Sequence, residues 1–214
     1  RNSTETVTFA DGIKSIGNNA FEKITSLKTI EWNEEITTIG NNSFKGCSGI
    51  ETLTIPDQVT TMGISSFEGC SGITSLSIGN GITEVTENGF KGCTSIETLT
   101  IPDQVTTIGK QSFSDCEKIK TITFGTENRK LNKISEEAFL NCKALENIII
   151  PESVETIESN AFIGCICLTS VTIPSSIKSI GDNAFASLSG LTTVNYDGEN
   201  NPTGTCSDTA FSNS

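Results

Sequence analysis

The chain has no histidine and only one methionine, one tryptophan and one tyrosine among its 214 residues. Without histidine, general acid–base work falls to carboxylates, lysine, tyrosine or cysteine, and the commonest zinc ligand is missing. Long apolar runs are also absent: nothing approaches the roughly 18 consecutive residues of a membrane-spanning helix. Basic residues are scarce, with 14 Lys and Arg against 26 Asp and Glu and a formal net charge of −12. That balance argues against nucleic acid, whose phosphates demand a basic surface, and against docking on anionic lipid. No Gly-x-Ser-x-Gly, phosphate loop or metal-binding spacing occurs. The expectation is a protein that is not an enzyme and uses no cofactor and no metal.

What the chain does have is a repeat. Ile50-Glu51-Thr52-Leu53-Thr54-Ile55-Pro56 returns as Ile96-Glu97-Thr98-Leu99-Thr100-Ile101-Pro102, with looser copies from Leu27 to Leu191. Phe21, Phe44, Phe67, Phe90 and Phe113 are 23 residues apart, and Phe139, Phe162, Phe185 and Phe211 continue the row with two steps of 26. A period in this range marks stacked units, each burying its apolar side against its neighbours.

One unit, Pro56 to Ile78, can be read in order. Pro56 ends a strand because it cannot donate to a ladder. Val59 and Met62 point inward and predict a second, shorter sheet. Gly63 allows a close approach or a positive φ. A short 3₁₀ or single-turn helix then carries Phe67 and Cys70 on one face, with Asn or Asp capping its amides in sister copies. The next strand alternates, with Leu76 and Ile78 inward and Ser75 and Ser77 outward. In-register stacking predicts a parallel sheet with rungs ~4.8 Å apart.

The order Ala/Ser-Phe-x-x-Cys-x-x-Leu-x-x-Ile-x-Ile-Pro-x-x-Val-x-x-Ile-Gly resembles the BspA-like class of leucine-rich repeat. The resemblance covers residues 4–211. The usual Asn or Cys three residues beyond the strand is replaced, at Gln58, Gln104 and Ser153 among others, which points to the BspA-like variant with its thin non-strand arcs. It implies a leucine-rich repeat solenoid of about eight 23-residue repeats. A parallel concave sheet lies on one side, with short 3₁₀ or helical turns and extended segments on the other. It also implies adhesion to protein or glycan ligands on host or microbial surfaces. Residues 1–214 are expected to form a single array, a fragment of a longer protein.

Three columns follow from the phase of the repeat. The phenylalanines read as a core spine. Cys47, Cys70, Cys93, Cys116, Cys142 and Cys165 read as buried free thiols, since Ile24 and Leu188 fill the same slot. Cys167 falls in a turn and is expected to be exposed, whereas Cys206 takes an inward slot. The outward hydroxyls Thr52, Thr54, Ser75, Ser77, Thr98, Thr100, Thr121 and Thr123, with Glu51 and Glu97 beside them, form the candidate ligand-binding face. Threonine is also simply a good residue for an exposed strand. The longer segments Gly125–Lys130 and Asp197–Pro202 are the competing binding site.

Residues 45–62 and 91–108 differ at only three positions, the signature of a duplicated block. Block copying suits an adjustable surface or a spacer, not a unique catalytic constellation. The expectation is therefore a non-catalytic binding module, monomeric, extracellular or at the cell surface, with no membrane insertion. The alternative is a structural stalk presenting another domain.

Overall fold

The computed structural model describes residues 3–125, 130–197, 205–206 and 209–212. The chain winds as a coil, and each turn contributes one long strand, one short strand and one tight turn segment. Every strand pair is parallel, and equivalent repeat positions face each other. Thr52 pairs with Ser75 and Leu53 with Leu76; Thr98 pairs with Thr121 and Leu99 with Ile122.

The long strands form three sheets in line. Thr6–Thr8 pairs with Thr29–Glu31, and Thr52–Ile55 pairs with Ser75–Ile78. Thr98–Ile101, Thr121–Phe124, Asn147–Ile149, Ser170–Pro174 and Thr193–Asp197 make a five-stranded sheet. The expected second sheet is present: Ser15–Ile16, Thr38–Ile39 and Thr61–Met62 form one part, and six two-residue strands from Glu84–Val85 to Thr205–Cys206 form the other. Val59, Met62, Val105 and Ile108 are buried, as their spacing requires.

The third side corrects the sequence reading. No helix occurs among the described residues. Each turn instead holds two left-handed residues, such as Asn42 at φ 54° and Gly46 at φ 73°, and a helix cannot pass through them. The amides between them alternate in use. Asn42, Phe44 and Gly46 donate to the carbonyls of Ile64, Ser66 and Glu68 in the next coil, at 2.9, 2.8 and 2.7 Å. Ser43, Lys45 and Cys47 close short turns onto Gly40, Asn42 and Phe44. The turn segments thus form a third ladder across the coils, which removes the need for helical hydrogen bonds.

The caps also act between coils rather than within one turn. Asn18 Oδ1 accepts from the Asn41 amide at 2.8 Å, and Asn41 Oδ1 accepts from Ile64 at 2.9 Å. Close stacking here needs Gly63: a Cβ would lie 2.4 Å from the Asn41 amide nitrogen.

The core is one continuous row. Phe44, Phe67, Phe90, Phe113, Phe139, Phe162 and Phe185 are fully buried. From Phe21 to Phe211 each ring stacks on the next, with centroids 5.1–5.6 Å apart and planes within 2–11°. The six column cysteines are buried free thiols, and each donates to the phenylalanine carbonyl of the preceding coil, as Cys70 does to Phe44 at 3.1 Å. Burial pushes the Cys47 thiol up to about 11 and the Cys116 thiol up to about 12, so these groups stay protonated donors. Cys167 is exposed, as expected. Cys206 is in register with Ile180, as its phase predicts, but it is exposed, which corrects the expectation that it points into the core.

Candidate functional site

The outward positions of the long strands build the candidate face. Alternation buries Leu53, Ile55, Leu99 and Ile101 and leaves the residues between them in solvent. Thr52, Thr54, Ser75, Ser77, Thr98, Thr100, Thr121 and Thr123 are all exposed on this side, in two columns. Register fixes their neighbours: Thr52 beside Ser75, Thr54 beside Ser77, Thr98 beside Thr121 and Thr100 beside Thr123. Thr100 and Thr123 share a 3.0 Å hydroxyl bond. Thr52, Thr54, Ser75, Ser77, Thr98 and Thr121 make no side-chain hydrogen bond with the rest of the described chain, leaving donors and acceptors for a ligand.

The two carboxylates differ. Glu97 pairs with Lys120 at 2.9 Å, and the bond and charge of that lysine hold its carboxyl below the usual range. Glu51 is exposed and ion-pairs with no described residue. Block copying therefore placed identical acids in different electrostatic settings.

Two hollows interrupt the face. The first, of about 570 Å³, is lined by Lys28, Thr29, Ile30, Trp32, Glu51, Thr52, Leu53 and Thr54. It lies at the seam between Thr29–Glu31 and Thr52–Ile55, which belong to separate sheets. Trp32 occupies the slot that Ile55, Ile78 and Ile101 hold in later coils, and its bulk sits at the point where pairing lapses. The second, of about 330 Å³, is lined by Thr121, Ile122, Thr123, Phe124, Asn147 and Ile149. There too the slot holds an aromatic, Phe124, and the adjoining strands share only the Thr121–Asn147 pair. Ile149 is 68% exposed.

Sequence reasoning missed these apolar points, because repeat averaging treats Trp32 and Phe124 as ordinary core residues. It also missed the hydroxyls at one phase of the short strands, Thr38, Thr61, Thr107, Thr156 and Ser179, a row that Glu84 and Lys133 interrupt. The recurring Thr-Ile, Thr-Met and Ser-Ile dipeptides were the available signal. Many hydroxyls flanking that row are already engaged, Thr60 and Thr106 bonding back to the carbonyls of Thr37 and Thr83. The longer segments are largely outside the described residues, which exclude 126–129 and 198–204. Among the described residues, no group of three His, Cys, Asp or Glu is arranged to hold a metal ion. Among the described residues, no helix is long and apolar enough to cross a membrane.

Parallel coils with a 23-residue period, long strands on one side, short strands on another and tight turn segments on the third define a leucine-rich repeat solenoid. The family model described as the BspA-type leucine-rich repeat region matches residues 1–120 and 83–214 in six copies, and the chain belongs to that family. Solved structures share the fold. A leucine-rich cell surface protein from Faecalibacterium prausnitzii A2-165 aligns at 24% identity with a TM-score of 0.59, over 91% of this chain and 60% of that one. A leucine-rich repeat protein from Bacteroides ovatus aligns at 24% identity with a TM-score of 0.63, over 89% of this chain and 60% of that one. The pneumococcal vaccine antigen PcpA aligns at 20% identity with a TM-score of 0.56, over 90% of this chain and 62% of that one. The chain thus spans about 60% of the length of these structures. No curated protein matches it.

Proposed function

We propose that the chain is a non-catalytic binding module whose long-strand face docks a protein or glycan. The observation that carries this reading is the pair of exposed hydroxyl columns, in register and largely free of internal hydrogen bonds. Solenoids use such extended faces for recognition, because each coil adds the same groups at a fixed pitch. The ligand-binding residues are Thr52, Thr54, Ser75, Ser77, Thr98, Thr100, Thr121 and Thr123, with Glu51 and Glu97 at their margin. A monomer exported to, or shed from, a bacterial cell surface fits the acidic charge of −12 and the surface protein among its structural neighbours. The partner is then a protein or glycan of a host or microbial surface.

The test is to screen the chain against extracellular-matrix proteins and a glycan array, beside a Thr98→Arg/Thr100→Arg variant. A saturable ligand lost in the variant, with unchanged melting temperature, supports the face. Equal binding by both chains moves the site to the longer segments. A stalk is the second reading, favoured by the unbroken phenylalanine stack, which suits a stiff rod. A screen without any ligand favours it.

A further inference from the structure

From the Trp32 hollow we infer that the face recognises a basic segment of a protein partner, seating an arginine or lysine side chain between Thr29–Glu31 and Thr52–Ile55. This inference rests on the binding-face reading and narrows its ligand class. The surroundings of the Trp32 indole carry it first. Phe9 stacks on one side of Trp32, with centroids 6.1 Å apart and planes 25° from parallel. Phe44 makes a T-shaped contact with the same indole, also at 6.1 Å, and the indole lines the hollow beside Leu53 and Thr54. Indole is the best side-chain π surface for a cation.

The hollow's charges point the same way. Lys28, at its rim, is ion-paired with Glu5 at 3.1 Å. Glu51 lines the hollow without such a partner, and Glu31, exposed on the neighbouring strand, accepts only the Thr8 hydroxyl, at 2.7 Å. A guanidinium entering here meets the Trp32 indole, the unpaired Glu51 carboxylate and the hydroxyls of Thr29, Thr52 and Thr54. The net charge of −12 steers cations toward the chain. It repels a sulfated glycan or an acidic peptide, and the lysine that lines the hollow, Lys28, is already paired with Glu5. A neutral sugar would leave Glu51 without the pairing that its free charge favours.

Trp32 is the chain's one tryptophan, so its fluorescence reports directly on the hollow. The probe is an oligo-arginine peptide, titrated beside an oligo-glutamate peptide and a neutral oligosaccharide. Saturable change with oligo-arginine alone, weakening as salt rises, is expected. Glu51→Gln should weaken binding about fivefold to tenfold. Glu155→Gln, the same charge change on the short-strand side, should not. Trp32→Ile, read by calorimetry, should lose binding and stay folded, because isoleucine fills this slot in other coils. Trp32→Phe should retain part of it.

No response to oligo-arginine overturns the inference, as does a response to the oligosaccharide alone. Equal weakening by Glu51→Gln and Glu155→Gln also overturns it, since that is the behaviour of diffuse charge. If the arrays yield a ligand that Thr98→Arg/Thr100→Arg abolishes while the Trp32 and Glu51 variants bind it normally, the inference fails and the binding face stands. If no ligand is found but oligo-arginine occupies the hollow, the broader reading fails alone.

Discussion

Ser43, Ser66 and Ser112 are fully buried, and their hydroxyls have no hydrogen-bond partner. They share a column with Ala138, Ala161 and Ala184, which are also fully buried. An orphan buried hydroxyl costs free energy, and a methyl demonstrably fits this slot. Replacing each serine by alanine should stabilise the chain by about 1 kcal/mol, seen as a higher melting temperature. A lowered melting temperature would mean that the hydroxyls have partners after all. The thiols give a second residue-scale expectation. Under native conditions a small alkylating reagent should label Cys167 and Cys206, and the six column cysteines only after unfolding. Native labelling of Cys93 would contradict its complete burial. The sequence revealed the column, because its phase matched that of Ile24 and Leu188. It did not reveal that each thiol donates to a phenylalanine carbonyl. That depends on the offset between adjacent coils, which a period does not encode.

At the scale of the element, the turn segments are what distinguish this solenoid. Glycine and asparagine near the phenylalanine were legible as turn residues. Their left-handed conformation was not, since Gln111, Glu137 and Lys23 adopt it as well, at φ 53°, 57° and 60°. Those residues accept strain because the ladder to the next coil fixes the backbone there. Glu137→Asn should therefore raise stability modestly, as asparagine tolerates this region better. The phenylalanine row was fully legible, because nothing but packing explains nine at one phase. Phe113→Ala should cost about 3–5 kcal/mol and loosen both neighbouring coils. A loss well below that, read by denaturant unfolding, would mean that the rings are not the main bond between coils. The Lys45–Glu68 pair, at 2.9 Å, makes a pH prediction. Burial works to raise the Glu68 carboxyl, but bonds from Lys45 and Ser65 and the lysine charge leave it below its usual range. Its folded value is depressed, so its stabilisation is complete above the unfolded value of about 4.3 and is lost as pH falls through the folded value. Glu68→Gln should shrink the fall in melting temperature between neutral and acid pH. An unchanged fall would remove this pair from the acid response.

At the scale of the whole molecule, the coil builds one face from its long strands and another from its short strands. The long-strand face and its alternation could be read directly from Thr-Leu-Thr-Ile, because period two separates buried from exposed without further information. The hollows at Trp32 and Ile149 could not. They lie beside Trp32 and Phe124, where particular coils depart from the consensus and long-strand pairing is incomplete. The account's central claim is that the long-strand face is the one that binds. Amide hydrogen exchange of the chain, with and without its captured ligand, tests this most directly. Protection of Thr52–Ile55, Thr98–Ile101 and Thr121–Phe124 on binding is the predicted result. Protection confined to the short strands Thr107–Ile108, Thr156–Ile157 and Ser179–Ile180 would contradict it.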